Sequence, residues 1–300
     1  MQLWMILGFI SAVGWASVVL LNKFVVDSEV NDTLFSGSMH SLFNCVTIAV
    51  SSALSVGLPS LGLNALAGSI MGVLFIVANY LWFSGVGEED VSRFAPVLSL
   101  DVAFIAVLSL VLLGESFSPV AYVGMAVTIV GCVFISLENP IKSFSKLDSR
   151  YAVLAAIGSA FIYSIREVFF QYASSGISTW PILFYYGLTG SIMSILLLKW
   201  SDGDIIDKVT GSEHLALSGS LSGIAQVIFF IAISLGSASI VSTITKSRFI
   251  MVFLVATTVS RLHPEILHEE LDRSILIQKT LGLTMISVGI VAATSPNLLV

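Results

Sequence analysis

Three charged side chains stand inside apolar runs of this 300-residue chain, at matching depths. Asp101 falls about nine residues into the run 91–113, roughly 13 Å from its start at ~1.5 Å per helical residue. Lys246 and Arg248 fall about eight and ten residues into the run 238–260, roughly 12–15 Å from its start. In a hydrocarbon layer of about 30 Å all three would lie near the middle. An ionisable group there costs roughly 2.5 kcal/mol or more, so it implies a partner, a cavity or a ligand. Asp101 with Lys246 or Arg248 is therefore a candidate charge pair. The acid could meet an amine or a proton, and the cation a carboxylate. A purely structural ion pair between two helices would use the same residues. Lys246 shares a stripe with Ser239, Ser242 and Thr243, which turns it toward water. Arg248 lies about 200° round the helix and turns toward another helix.

Other polar groups sit in apolar surroundings. Ser36, His40, Asn44, Thr47 and Ser51 form one helical face, and Ser218, Ser222 and Gln226 repeat the idea. Small hydroxyls of this kind glue helices together. Asn44 and Gln226, near mid-depth, suit a cavity lining. His40 suits a proton shuttle, or a hydrogen-bonded structural histidine. Trp15 and Tyr163 suit an aromatic wall or simple packing. Arg166 and Glu167 follow Tyr163 by three and four residues, as a local pair with snorkelling or as binding groups. The substrate-binding candidates are thus Asp101, Lys246, His40, Asn44, Gln226, Trp15, Tyr163 and Arg248.

Several chemistries find no residues to carry them. The sequence holds no HExxH and no GxSxG, so an enzyme is not expected. The two cysteines, Cys45 and Cys132, give neither a metal spacing nor a disulfide framework. No cofactor or metal is expected. A net charge of −6 and the absence of a basic run argue against nucleic acid.

The elements that must position these groups are membrane spans. With 56% hydrophobic and only 11% charged residues, the chain has more apolar surface than one soluble core could cover. Ten runs are long enough to cross: 3–22, 34–55, 64–86, 91–113, 119–137, 151–172, 180–199, 215–235, 238–260 and 275–293. Polar connectors such as KFVVDSEVND, ENPIKSFSKLDSR and KWSDGDIIDK separate most of them. The amino terminus has no positive leader region and reads as a retained first span. Lys23, Arg93, Lys142, Lys146, Arg150, Lys199, Lys208, Arg261, Arg273 and Lys279 all fall at one face, and no Lys or Arg falls at the other. Such a bias marks the cytoplasmic side and puts both termini outside. The expected location is the cell membrane, as a multi-pass protein.

The fifth and tenth spans match, VGMAVTIVGCV at 123–133 against LGLTMISVGIV at 281–291. Each carries two glycines seven apart, Gly124 with Gly131 and Gly282 with Gly289, on one helix face where another backbone can approach. Five is odd, so two five-span halves must insert with opposite orientation. The expected fold is an all-α membrane protein of ten transmembrane helices in two inverted five-helix repeats, residues 1–140 and 151–300, joined by a loop at 141–150. Inverted repeats place a substrate site near the midplane, between the halves.

The pattern resembles the drug/metabolite transporter superfamily, in its ten-helix EamA-type branch. GWASVVLLNK (Gly14–Lys23) resembles that family's Trp-to-Lys signature. YLWFSGVGEEDVSRFAPVLSLDVAFIAVLSLVLLGES (80–116) resembles its third and fourth helices, with a Pro in helix four and Gly-Glu before helix five. The second half diverges: Tyr163 and Gln171 stand where Trp15 and Lys23 predict, and Thr245 stands near the Pro96 equivalent. The resemblance implies a secondary transporter for a small metabolite; with Asp101 to meet an amine or a proton and Lys246 a carboxylate, the solute is expected to be amino-acid-like, zwitterionic or anionic, and to cross by alternating access. A non-transporting receptor or assembly subunit is the other class. Partners implied are a small-molecule substrate, membrane lipid, a coupling proton and a second copy of the chain. The family's usual arrangement keeps the termini cytoplasmic, opposite to the charge bias.

Overall fold

In lipid every backbone polar group must find its partner within the segment, so apolar runs of this length become helices. A computed structural model describes residues 2–25, 33–86, 95–136, 150–200, 213–262 and 273–295. Among them the first three spans are helices Leu3–Val25, Thr33–Val56 and Leu63–Val86. The fourth runs from Ala95 to Leu113, the fifth is Pro119–Ser136, and the sixth and seventh are Arg150–Ser174 and Thr179–Leu198. The eighth is Glu213–Leu235, the ninth comprises Ala238–Thr245 and Arg248–Leu262, and the tenth is Arg273–Thr294. The described residues contain no strand. Eight of these helices are long and apolar enough to cross a membrane; the fourth and fifth are shorter. The chain is an all-α membrane protein. The first two polar connectors, all of the third beyond Trp200, and most of the cations that set the charge bias lie outside the residues whose side chains are described.

Two spans are not uniform helices. The fourth begins as a 3₁₀ helix over Ala95–Leu100, becomes α-helical at Asp101–Leu108 and ends as a π turn at Ser109–Leu113. Its 3₁₀ lead-in rises ~2.0 Å per residue against ~1.5 Å for an α-helix, so a short segment reaches further. Gly114, with φ 69°, then reverses the chain in the left-handed region that glycine tolerates. The ninth span was expected to be continuous and is interrupted at Lys246–Ser247. There the amides of Lys246 and Ser247 donate to the carbonyls of Thr243 and Ile244, at 3.1 and 3.0 Å. The Ser242 carbonyl, which a regular α-helix would pair with the Lys246 amide, accepts from the Thr245 hydroxyl at 2.7 Å. A local hydroxyl thus satisfies what the tightened turn frees.

The most extensive helix–helix contacts are preserved when each of the first five spans is exchanged for the span five places on. The first span packs on the eighth and the sixth on the third; the second packs on the eighth and the seventh on the third. The fourth meets the sixth and the ninth meets the first, while second with seventh and fifth with tenth are self-paired. The fifth–tenth contact is backbone on backbone. A Cβ added at Gly124 would lie 2.6 Å from the Gly289 carbonyl oxygen, and one at Gly289 would lie 2.6 Å from that of Gly124. For Gly131 and Gly282 the reciprocal distances are both 2.8 Å. These are the four glycines whose spacing the sequence singled out. Large apolar side chains such as Leu54, Val111, Leu154 and Ile192 face outward, as a lipid-exposed surface requires.

Candidate functional site

Asp101 opens the α-helical part of the fourth span, and its Oδ1 accepts the Val102 amide at 2.7 Å. The other oxygen, Oδ2, accepts from Lys246 Nζ at 2.7 Å, where the ninth span is interrupted. The two side chains are only 16% and 2% exposed. Around them the spans are laced by hydroxyls. Ser164 of the sixth donates to the Asp101 carbonyl at 3.2 Å, and Ser239 of the ninth donates to Ser109 of the fourth at 3.4 Å. Ser239, Ser242 and Thr243 are fully or almost fully buried with Lys246. The stripe expected to face water is covered because the fourth and sixth spans pack against that side of the ninth.

A second charged centre lies on the sixth span. Arg166 is 2% exposed and caged by rings: its Cζ is 4.9 Å from the centroid of Tyr163, 5.2 Å from Phe230, 5.5 Å from Phe75 and 6.0 Å from Tyr186. Glu167 Oε1 is 3.5 Å from Arg166 Nη2. Gln226, with its amide oriented by its neighbours, accepts from Nη1 and Nη2 at 2.7 and 3.0 Å and donates to Asn44 Oδ1 and Tyr186 Oη, both at 3.2 Å. Arg166 Nε and Glu167 Oε2 have no hydrogen-bond partner among the described residues. Buried polar atoms are ordinarily paired, so these two stand out.

The remaining candidates divide. His40 Nδ1 and Ser218 Oγ are 3.1 Å apart, and Asn44 Nδ2 donates to Ser222 Oγ at 2.9 Å. The polar stripes of the second and eighth spans therefore face each other and join those helices. Asn44 also reaches Arg166 through Gln226, whereas His40 belongs to the helix–helix seam. Arg248 points at the first span, with its Cζ 5.6 Å from the Trp15 ring and 5.2 Å from the Phe249 ring. Trp15 in turn packs at a tilt on Phe229, with ring centroids 5.0 Å apart. Tyr163 donates to Asn79 Oδ1 at 3.1 Å, and Asn79 donates to Ser41. Ser41 and Asn79 line a cleft of about 110 Å³ between the second, third and seventh spans, together with Ser38, Phe83, Ser84 and Leu197. Tyr163 thus stands between that cleft and Arg166.

Sequence reasoning undervalued Arg166 and Glu167, because adjacent opposite charges toward a span's end read as a local pair. It also gave no role to a group at the other end of the spans. Gln171 donates to Glu115, Glu115 Oε2 accepts from Ser237 at 3.0 Å, and Gln171 Oε1 accepts the Ala238 amide at 2.9 Å. This links the segment before the fifth span, the end of the sixth, and the turn into the ninth. The only signals were the Gly-Glu before the fifth span and Gln171 at the Lys23-equivalent position.

Comparison with known proteins agrees with this architecture. One solved crystal structure superposes with a TM-score of 0.72 at 16% identity, covering 98% of this chain and 96% of that one, a likeness of fold alone. No curated protein matches the chain. The family model described as the EamA-like transporter family matches residues 2–137. The first half of this multi-pass, transporter-like membrane protein therefore carries the sequence pattern of the EamA-like transporter family, in line with the drug/metabolite transporter resemblance of its motifs.

Proposed function

We propose that the protein is a secondary transporter of a small metabolite, working by alternating access between two inverted halves, residues 1–140 and 151–300. The observation that carries this reading is the buried Asp101–Lys246 bond, 2.7 Å long, at the irregular points of two equivalent spans. Breaks in helices at membrane depth are costly and occur where backbone lines a protein interior or a site. A solute amine or a proton competes for Asp101, and a solute carboxylate competes for Lys246, so binding can open the ion pair. The Arg166 centre, reached by Asn44 and Gln226 and screened by Tyr163, forms the adjoining wall. Arg248 on Trp15 forms the opposite one. The site needs no cofactor, and its partners are the solute, a coupling proton, lipid and a second copy of the chain. The charge bias supports a cell-membrane orientation with both termini outside. Uptake of a labelled metabolite panel into proteoliposomes containing the full chain tests the reading. Saturable uptake of one or more members, absent from protein-free vesicles, is expected; no solute moving under any imposed gradient would leave a non-transporting role.

A further inference from the structure

Five charged side chains meet in the middle of the bundle among the described residues: Lys246 and Arg248 on the ninth span, Arg166 and Glu167 on the sixth, and Asp101 on the fourth. Lys246 is paired with Asp101 at 2.7 Å, and Arg166 with Glu167 at 3.5 Å. Arg248 has no carboxylate within ion-pair distance among the described residues; its neighbours are the faces of Trp15 and Phe249. The Trp15 ring beneath it packs in turn on the buried Phe229, so Arg248 lies against the protein interior. Unlike Lys246 it is only partly buried, and so remains accessible.

A guanidinium does not give up its proton, so the imbalance cannot be relieved by deprotonating Arg248. Protonation of Asp101 or Glu167 would only enlarge it. Partial burial against two rings strips some of the guanidinium's hydration, so its charge gains from an arriving counter-charge. Aromatic faces attract a cation but leave its charge uncancelled. Arg248 also presents a planar fork whose geometry matches an oxyanion.

We propose that the solute carries one net negative charge, and that its carboxylate docks on Arg248 above Trp15. The proposal deepens, and rests on, the transport reading. It separates two substrate classes that Asp101 and Lys246 leave open, since a neutral zwitterion would leave the central charge uncancelled. Arg248 is then the residue that selects anions, while Asp101 and Lys246 form the pair that opens.

Thermal unfolding of the detergent-purified full chain tests this with matched probes: glutamate against glutamine, lactate against lactamide, benzoate against benzamide. At least one monoanion should raise the melting temperature while its neutral amide does not. Arg248→Gln should weaken that anion roughly tenfold or more and abolish the discrimination between anion and amide. Arg248→Lys, which keeps the charge, should retain part of both, a pattern that a merely structural arginine would not give. A shift by the amides equal to that by the anions, no shift by any monoanion, or undiminished discrimination in Arg248→Gln would overturn the proposal. An anion-specific shift without uptake in proteoliposomes would instead defeat the transport reading and leave this one standing.

Discussion

Lys246 Nζ and Asp101 Oδ2 are 2.7 Å apart, although the two residues are 145 positions apart in sequence. A buried ion pair is weak support for stability as such, because its desolvation cost offsets most of its attraction. Breaking it by removing one partner is a different matter. Asp101→Asn or Lys246→Met alone strands a charge and should destabilise the purified protein by about 3–5 kcal/mol. The double variant should recover much of that loss. Thermal or denaturant unfolding of the three variants checks it, and additive losses in the double variant would show that the two charges do not depend on each other.

The fifth–tenth seam should be intolerant of side chains. Gly289→Leu would drive atoms into the Gly124 backbone, where even a Cβ would lie 2.6 Å from the carbonyl oxygen. Overpacking of this kind costs about 1–3 kcal/mol or more. Gly176, where an added Cβ would meet nothing within 4 Å, is the control. Gly176→Ala should accumulate in the membrane at the parent level and Gly289→Leu well below it, as measured by quantitative immunoblotting. Equal levels would contradict the close approach.

The Glu115–Gln171–Ser237 group ties together the segment before the fifth span, the sixth span and the turn into the ninth, and the alternating access proposed above would require these elements to part. Glu115→Cys with Gln171→Cys, in a background where Cys45 and Cys132 are replaced by Ala, should cross-link under oxidation. The cross-linked protein should lose uptake and regain it on reduction. Uptake unchanged by a complete cross-link would remove this group from any gating role.

Orientation is decided by loops whose side chains are not described, so it rests on the lysine and arginine count. That count predicts that a carboxy-terminal reporter active only in the cytoplasm stays silent. A bright reporter would restore the family's usual arrangement and show that the charge bias is overridden during insertion.

The parts legible in the sequence were those governed by depth and spacing. Asp101 and Lys246 could be matched because a charge at mid-span is costly and its depth follows from helix rise. The four packing glycines were legible because seven residues make nearly two turns. Arg248 was rightly turned away from Lys246, toward what proved to be Trp15 on the first span. The Arg166 cage was not legible: Phe75, Tyr186 and Phe230 come from three other spans, and no single helix shows their convergence. Nor was the interruption at Lys246–Ser247, which carries neither proline nor glycine and depends on Thr245 capturing a carbonyl. The polar stripe of the second span was visible, but its burial against Ser218 and Ser222 depended on a partner helix far along the chain.

In the proposed transporter Asp101 and Lys246 form a working site whose ion pair a solute opens. Solute counterflow in proteoliposomes containing the full chain, with the transported metabolite on both sides and no ion gradient, tests it most directly. The account predicts that Lys246→Met, inserted and monodisperse, loses counterflow, whereas Gly176→Ala retains the parent rate. Asp101→Asn should lose gradient-driven accumulation and, where the solute carries an amine, counterflow too. Counterflow and accumulation at parental rates in both Asp101→Asn and Lys246→Met would contradict it, leaving the pair as a structural tie between the halves.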